Sequence, residues 1–379
     1  MIKDKRTIRK ITFLIFIVVV FILLAVLMFT GRRFNSDALL RAFSYMRDQK
    51  DAQGQLKQLE FISTAKSAYA DYEGGIAVAA STGIEIIGRN GETVLSYPVD
   101  FDSPAIESSG KRVLAYDIGG TSALCFEGGK KILDIASDEA IISAHMNDDG
   151  WIVLTTEASG YKALITVYNA DMEAVYRYYS STAYVVSAVV DPGNRTMTAA
   201  SVLYDESGFQ SKLVRFRFDS EAPEAEGYIE DRVPLAIKTY SDNRSCVVTE
   251  SAVYFLDEEL RTTAQYDYGS AYLKNAVLTG EAGPVLFLGE QRTGTKARVV
   301  SLSTDGKVLA NSEVARELLD ISAAGSYIAM LYADCAEILT ASLQQESRTE
   351  SSNNARRIIM RDDGTALLVS SGEARLFVP

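Results

Sequence analysis

Three carboxylate pairs have the composition of an acid-base or hard-cation site: Asp148-Asp149, Glu258-Glu259 and Asp362-Asp363. Adjacent carboxylates can share a proton or chelate a hard cation. All three fall in turn-forming stretches between apolar runs, where Asp favours hairpin geometry and Glu tolerates solvent. No calcium loop with a closing Glu runs through any of them, so the turn reading prevails. His145 is the one imidazole in the chain, hence the one base open to a Ser-His-Asp arrangement. One His, one Trp and three Cys leave no material for a His/Cys zinc site, and an odd Cys count excludes a fully paired disulfide framework. Cys125, Cys246 and Cys335 lie far apart among apolar neighbours and read as small buried strand residues.

Other motifs are weaker still. Gly88-Arg89-Asn90-Gly91, Gly119-Gly120 and Gly128-Gly129 lead into strands, so no helix N-terminus is available to hold a phosphate, and no cofactor is expected. Asn194-Arg195-Thr196 and Asn243-Arg244-Ser245 match the glycosylation acceptor pattern but overlap hairpin turns. Tyr176, Tyr178, Tyr179 and Tyr184 form the most suggestive cluster, because a Tyr ring offers a flat apolar face with a polar tip, suited to a sugar or a partner side chain. Alternating Tyr equally suits a half-exposed strand.

The elements that must position these residues begin with an anchor. Ile11 to Phe29 runs almost without a polar atom and, as a helix, reaches about 28 Å, enough to cross a bilayer. It ends without an A-x-A cleavage pattern, which favours an uncleaved transmembrane helix over a signal peptide. Five bases precede the span and Arg32, Arg33 and Arg41 follow it, which puts the N-terminus in the cytoplasm and the bulk of the chain outside. The expected organisation is a tail over 1–10, a transmembrane helix over 11–30, a juxtamembrane helix or linker over 31–55 with Leu39, Leu40, Phe43 and Met46 on one face, and a body over 56–379. Seven of the Lys and Arg residues lie in 1–33, leaving 31 bases against 49 acids in the remainder. Such a body repels phosphates, so nucleic acid is not an expected partner.

The body repeats. Turn residues at 75, 110, 150, 194, 243, 283, 325 and 364 each precede a short apolar run, at intervals of 35 to 49 residues. Each interval holds several strands of β-branched and aromatic residues separated by tight turns, as in the runs at 151–156, 161–168 and 172–179. Four strands per repeat of about forty residues is the arithmetic of a β-propeller blade. An open array would leave long sheet edges, whereas a ring protects them. The last unit stops one strand short, and Leu56 to Ser63 is placed to supply the missing outer strand. The expected fold is all-β: a propeller of eight four-stranded antiparallel blades, or seven if 344–354 is an insertion. His145 then falls on an innermost strand near the central channel, where a hydrogen-bonded packing role competes with that of a base.

The anchor followed by units such as Gly83 to Glu92 and Leu302 to Leu309 resembles the membrane-anchored propellers of an uncharacterised bacterial domain family, related in outline to quinoprotein-like and WD-type propellers. The likeness covers about 59 to 379. It implies an extracytoplasmic propeller and no catalytic residues. The Trp repeated in each blade of quinoprotein dehydrogenases is absent, as are their adjacent Cys pair and the Gly-His and Trp-Asp signatures of WD repeats.

In a propeller, the connections from outer to next inner strand and from second to third strand share one face. Here they carry Asp100, Asp102, Asp117, Asp138, Glu139, Asp205, Glu206, Asp231 and Asp267, with Glu157, Glu230, Glu250, Glu290 and Asp334, against Arg232, Arg292 and Arg316. An acidic binding face and an ordinary solvated surface both fit this pattern. With no convergent catalytic set, the expected function is non-enzymatic: an anchored scaffold docking an envelope protein or cell-wall polymer. Carbohydrate binding or hydrolysis at the same face is the alternative.

Overall fold

The computed structural model describes residues 58–205, 208–292 and 296–379, without the side chain of Asp205. The expected transmembrane and juxtamembrane helices lie outside the described residues, among which every regular element is a strand. The strands form eight four-stranded antiparallel sheets, each meandering from an inner to an outer strand. The inner strands are Ala68–Tyr72, Pro104–Ser109, Ile141–Met146, Tyr184–Val190, Pro234–Thr239, Tyr272–Val277, Leu318–Ala324 and Arg357–Met360, for blades 1 to 8 in order. The segment at 344–354 is no insertion, since Gln345–Thr349 is the regular outer strand of blade 7.

The repeat was visible because each inner strand turns tightly into the second. Gly110, Gly150, Asn194, Asn243, Gly283, Gly325 and Gly364 all hold positive φ at these turns, and Gly74 does so in blade 1. Only Gly, or Asn with its locally bonding side chain, adopts that conformation cheaply. Second strands read as continuous apolar runs because both sheet faces are covered by neighbouring blades. Gly75–Ala80 and Tyr327–Tyr332 are buried throughout, while the outer strand Thr262–Asp267 alternates. The core is therefore a series of wedges between blades. Between blades 3 and 4, Val153, Ile165 and Val167 meet Val185, Met197, Val214 and Phe216.

The ring closes through the chain's own ends. Leu59–Glu60 adds to the last sheet as its outer strand, pairing Leu59 with Ala374 and Glu60 with Glu373. Buried arginines fasten blades across their turns. Arg361 of blade 8 donates from Nε to Asp71 at 2.5 Å and from Nη2 to the Gly75 carbonyl at 2.8 Å in blade 1. Arg215 of blade 4 donates to the Glu258 and Asn243 carbonyls of blade 5 at 2.5 and 2.7 Å.

Candidate functional site: the loop face and the channel

The topology sorts the connections onto two faces. Inner-to-second and third-to-outer turns share the turn face; second-to-third and outer-to-next-inner connections share the opposite, loop face. The described chain enters its first strand, Leu59–Glu60, from the turn face.

Of the acidic residues expected on the loop face, Asp100, Asp102, Asp138, Asp231 and Asp267 are exposed there, and Glu139 is half-buried. Among the described residues none of the five exposed aspartates forms an ion pair. Asp117 does not belong with them. It is buried, and its Oδ1 accepts the Ser103 backbone N–H at 2.6 Å, so it braces the connection into its own blade. Glu206 and the side chain of Asp205 lie outside the description. On blade 7, Arg316 pairs with Glu337 at 3.0 Å and Asp334 at 3.6 Å and covers the Tyr332 ring at 4.3 Å. Among the described residues, exposed carboxylates outside any ion pair also stand at Glu290, Glu317 and Glu350, so they are spread around the ring, and on blade 7 arginine pairs with Glu337 and Asp334.

The tyrosine cluster divides by strand parity. Tyr176 and Tyr178 point into the wedge between blades 3 and 4, with ring centroids 6.1 and 4.3 Å from that of Phe216. They are core. Tyr179 and Tyr184 are exposed. Tyr179 packs on the exposed Tyr161 at 4.9 Å, and the Tyr184 hydroxyl accepts from Lys162 Nζ at 2.8 Å.

The sequence reading missed the aromatic residues flanking this pair. The second and third strands of blade 4, Thr196–Asp205 and Gly208–Arg217, have ten residues each, where their counterparts have five or six. Inner-strand pairing stops at Val202 and outer-strand pairing at Gln210, so Leu203–Asp205 and Gly208–Phe209 pair only with each other in an overhanging arm. The arm carries Tyr204 and Phe209, register partners with ring centroids 4.7 Å apart and exposures of 65% and 57%. The overhang was not legible in the sequence, because it depends on where the neighbouring strands stop. Of the fourteen large hydrophobic side chains exposed among the described residues, all but Val175, Val308 and Leu309 lie on loop-face connections or within three residues of them.

In the channel, His145 lies between two inner strands. Its Nδ1 is 2.8 Å from Glu107 Oε1 of blade 2 and its Nε2 is 3.1 Å from Ser187 Oγ of blade 4. Burial pulls the imidazole pKa down, but the hydrogen bond and charge of Glu107 outweigh it, and the net shift is upward. Carboxylate, imidazole and hydroxyl stand in the order of an acyl-transfer triad. Ser187 is buried, however, and similar reaches recur without histidine. Glu107 Oε2 accepts the Met146 N–H at 2.7 Å, Asp320 accepts that of Ile358 at 2.9 Å, and Ser322 accepts that of Met360 at 3.0 Å. Unpaired amides on the channel edge of each inner strand need such acceptors. His145 thus belongs to a series of inter-blade links.

The three thiols are buried and free. Burial pushes Cys125 up to about 12 and Cys246 up to about 11, and raises Cys335 despite the hydrogen bond from Arg316. Among the described residues no group of His, Cys, Asp and Glu is arranged to hold a metal ion.

Fold and face together define an eight-bladed, WD40-like β-propeller. The chain belongs to the DUF5711 family of unknown function, whose family model matches residues 48–375. The C-terminal WD40 domain of Sif2 aligns with a TM-score of 0.59 at 12% identity, over 86% of this chain and 98% of that one. A eukaryotic initiation factor aligns at 0.47 with 7% identity, over 80% and 94% of the two chains. Hydrazine synthase of Kuenenia stuttgartiensis aligns at 0.45 with 11% identity, over 82% and 95%. At these identities the likeness is one of fold. No curated protein matches the chain.

Proposed function

We propose that this protein is a single-pass, membrane-anchored propeller whose body lies outside the cytoplasm and acts, without catalysis, as a docking scaffold for a protein of the envelope. The concentration of exposed hydrophobic side chains on one face of the ring carries this reading. A soluble monomer scatters such residues, whereas a clustered and rimmed set marks an interaction surface. The apolar run at 11–29 and the preceding bases support the anchor and its orientation.

The test places a photo-crosslinking residue on the loop face of the full chain, at Tyr179 or Tyr272, in native membranes. A discrete partner should be captured there and not from the turn-face position Asp171. Equal capture from both faces, or none from either, would overturn the reading. The exposed Tyr161–Tyr179 pair also suits stacking on a sugar ring, which supports a cell-wall polymer as the second reading. Selective retention on purified wall polymer that is lost in Tyr179→Ser would favour it.

A further inference from the structure

The loop face is not uniform, and one sector of it has a more definite chemistry. The exposed apolar side chains concentrate between residues 161 and 235, on the connections of blades 3 to 5. At the centre is the arm of blade 4. By register, Tyr204 and Phe209 share the side of the strands that carries Ala200 and Leu213, which pack in the wedge with Ile237 and Val247 of blade 5. On that side the loop into blade 5 is tied to the arm, since the Asp231 N–H donates to the Phe209 carbonyl at 3.0 Å and Ser211 Oγ donates to the Arg232 carbonyl at 2.9 Å. The same loop leads into Val233 and Leu235, both exposed. A cross-strand aromatic pair steadies a two-stranded arm only modestly, and that role does not require neighbouring aliphatic side chains to face solvent.

The charge around this apolar set is predominantly negative; Arg232 lies within it, half-buried, with its Nη1 donating to the Asp231 carbonyl at 2.8 Å. Glu157, Glu230, Asp231 and Glu250 are exposed on its connections. Two of the sector's cations are already committed. Lys162 lies over the Tyr184 ring at 4.6 Å, and Lys212 lies over the Tyr228 ring at 5.9 Å and 3.6 Å from Glu226. These pairs show neighbouring rings and a carboxylate of the same sector, Tyr184, Tyr228 and Glu226, accepting ammonium groups. Aromatic faces attract cations, and a carboxylate rim adds steering for a positively charged partner.

We propose that the arm of blade 4 and the adjoining connections of blades 3 and 5 form a docking site for a polypeptide segment that alternates Lys or Arg with aromatic or aliphatic side chains. The apolar side chains would cover Tyr204, Phe209, Val233 and Leu235, and the cations would meet Glu230, Asp231 and Glu250. This rests on the docking reading of the loop face and narrows it to one sector and one partner chemistry.

The test uses the full chain in lipid nanodiscs, with empty discs as reference and three labelled peptides that alternate Lys with Tyr, Glu with Tyr, and Lys with Ser. The Lys-Tyr peptide should bind, and the other two should bind at least tenfold more weakly. Tyr204→Ser with Phe209→Ser should weaken Lys-Tyr binding at least tenfold, as should Glu230→Gln with Asp231→Asn. Asp100→Asn with Asp102→Asn, outside the sector, should change it less than twofold. The substituted side chains are exposed, and an unchanged melting temperature verifies the fold of each variant. No binding of the Lys-Tyr peptide, equal binding of the Lys-Ser or Glu-Tyr peptide, or equal losses inside and outside the sector would overturn the proposal. A loss confined to Asp100 and Asp102 would overturn this sector and leave the wider loop-face reading standing.

Discussion

Glu107 grips two groups of the next blade at once, His145 Nδ1 at 2.8 Å through one carboxylate oxygen and the Met146 N–H at 2.7 Å through the other. Because the folded-state pKa of His145 is raised, the link stabilises the ring fully below the unfolded pKa of the imidazole, and this is lost as pH rises through the folded value. The melting temperature of His145→Gln should therefore fall further below that of the parent at pH 5 than at pH 8.5. A gap that is equal or larger at pH 8.5 would contradict the link. A fluorophosphonate should leave Ser187 unlabelled; labelling that His145→Gln abolishes would instead make the three residues a catalytic set.

Ring closure should depend on Arg361. Arg361→Met removes its bonds to Asp71 and to the Gly75 carbonyl, and hydrogen bonds to charged groups contribute about 1.5–3 kcal/mol each. Loss of at least that much in chemical denaturation is expected. Arg375→Met, on the exposed side of the same blade, should shift stability by less than about 0.5 kcal/mol.

The divided aromatic cluster predicts different outcomes for the wedge that holds Tyr176 and Tyr178 and for the ring that faces solvent. Phe216→Ala empties the wedge shared with Tyr176 and Tyr178 and should cost about 3–5 kcal/mol. Tyr179→Ser, on the exposed side of the same outer strand, should stay within about 0.5 kcal/mol of the parent.

The thiols should be inert in the native state. With Cys125 near 12 and Cys246 near 11, the thiolate fraction at pH 8 is negligible. Mass spectrometry after iodoacetamide treatment should find none of the three alkylated until denaturant is added, and then all three. Rapid native alkylation at Cys335 would show that its loop opens.

What the amino-acid sequence settled by itself was the periodic part of this protein. Turn residues restricted to positive φ and apolar runs buried on both faces are local signals, so the strand order and the closing role of the segment around Leu59 could be read without a structure, and the blade count to eight or seven; the outer strand Gln345–Thr349 decided for eight. The sites were less legible. Tyr176 and Tyr179 are three residues apart on one strand, yet one is core and the other surface, because the neighbouring blade covers only one side of the sheet. Asp117 shares the turn chemistry of Asp138, and only the return of the chain to Ser103 buries it. Glu107, His145 and Ser187 lie on three consecutive blades, about forty residues apart, and only the packing of each blade against the next joins them. The overhanging arm of blade 4 likewise exists because its partner strands stop early. Local backbone preference is encoded residue by residue, whereas the neighbours of a side chain across a blade interface are set only once every blade has packed against the next.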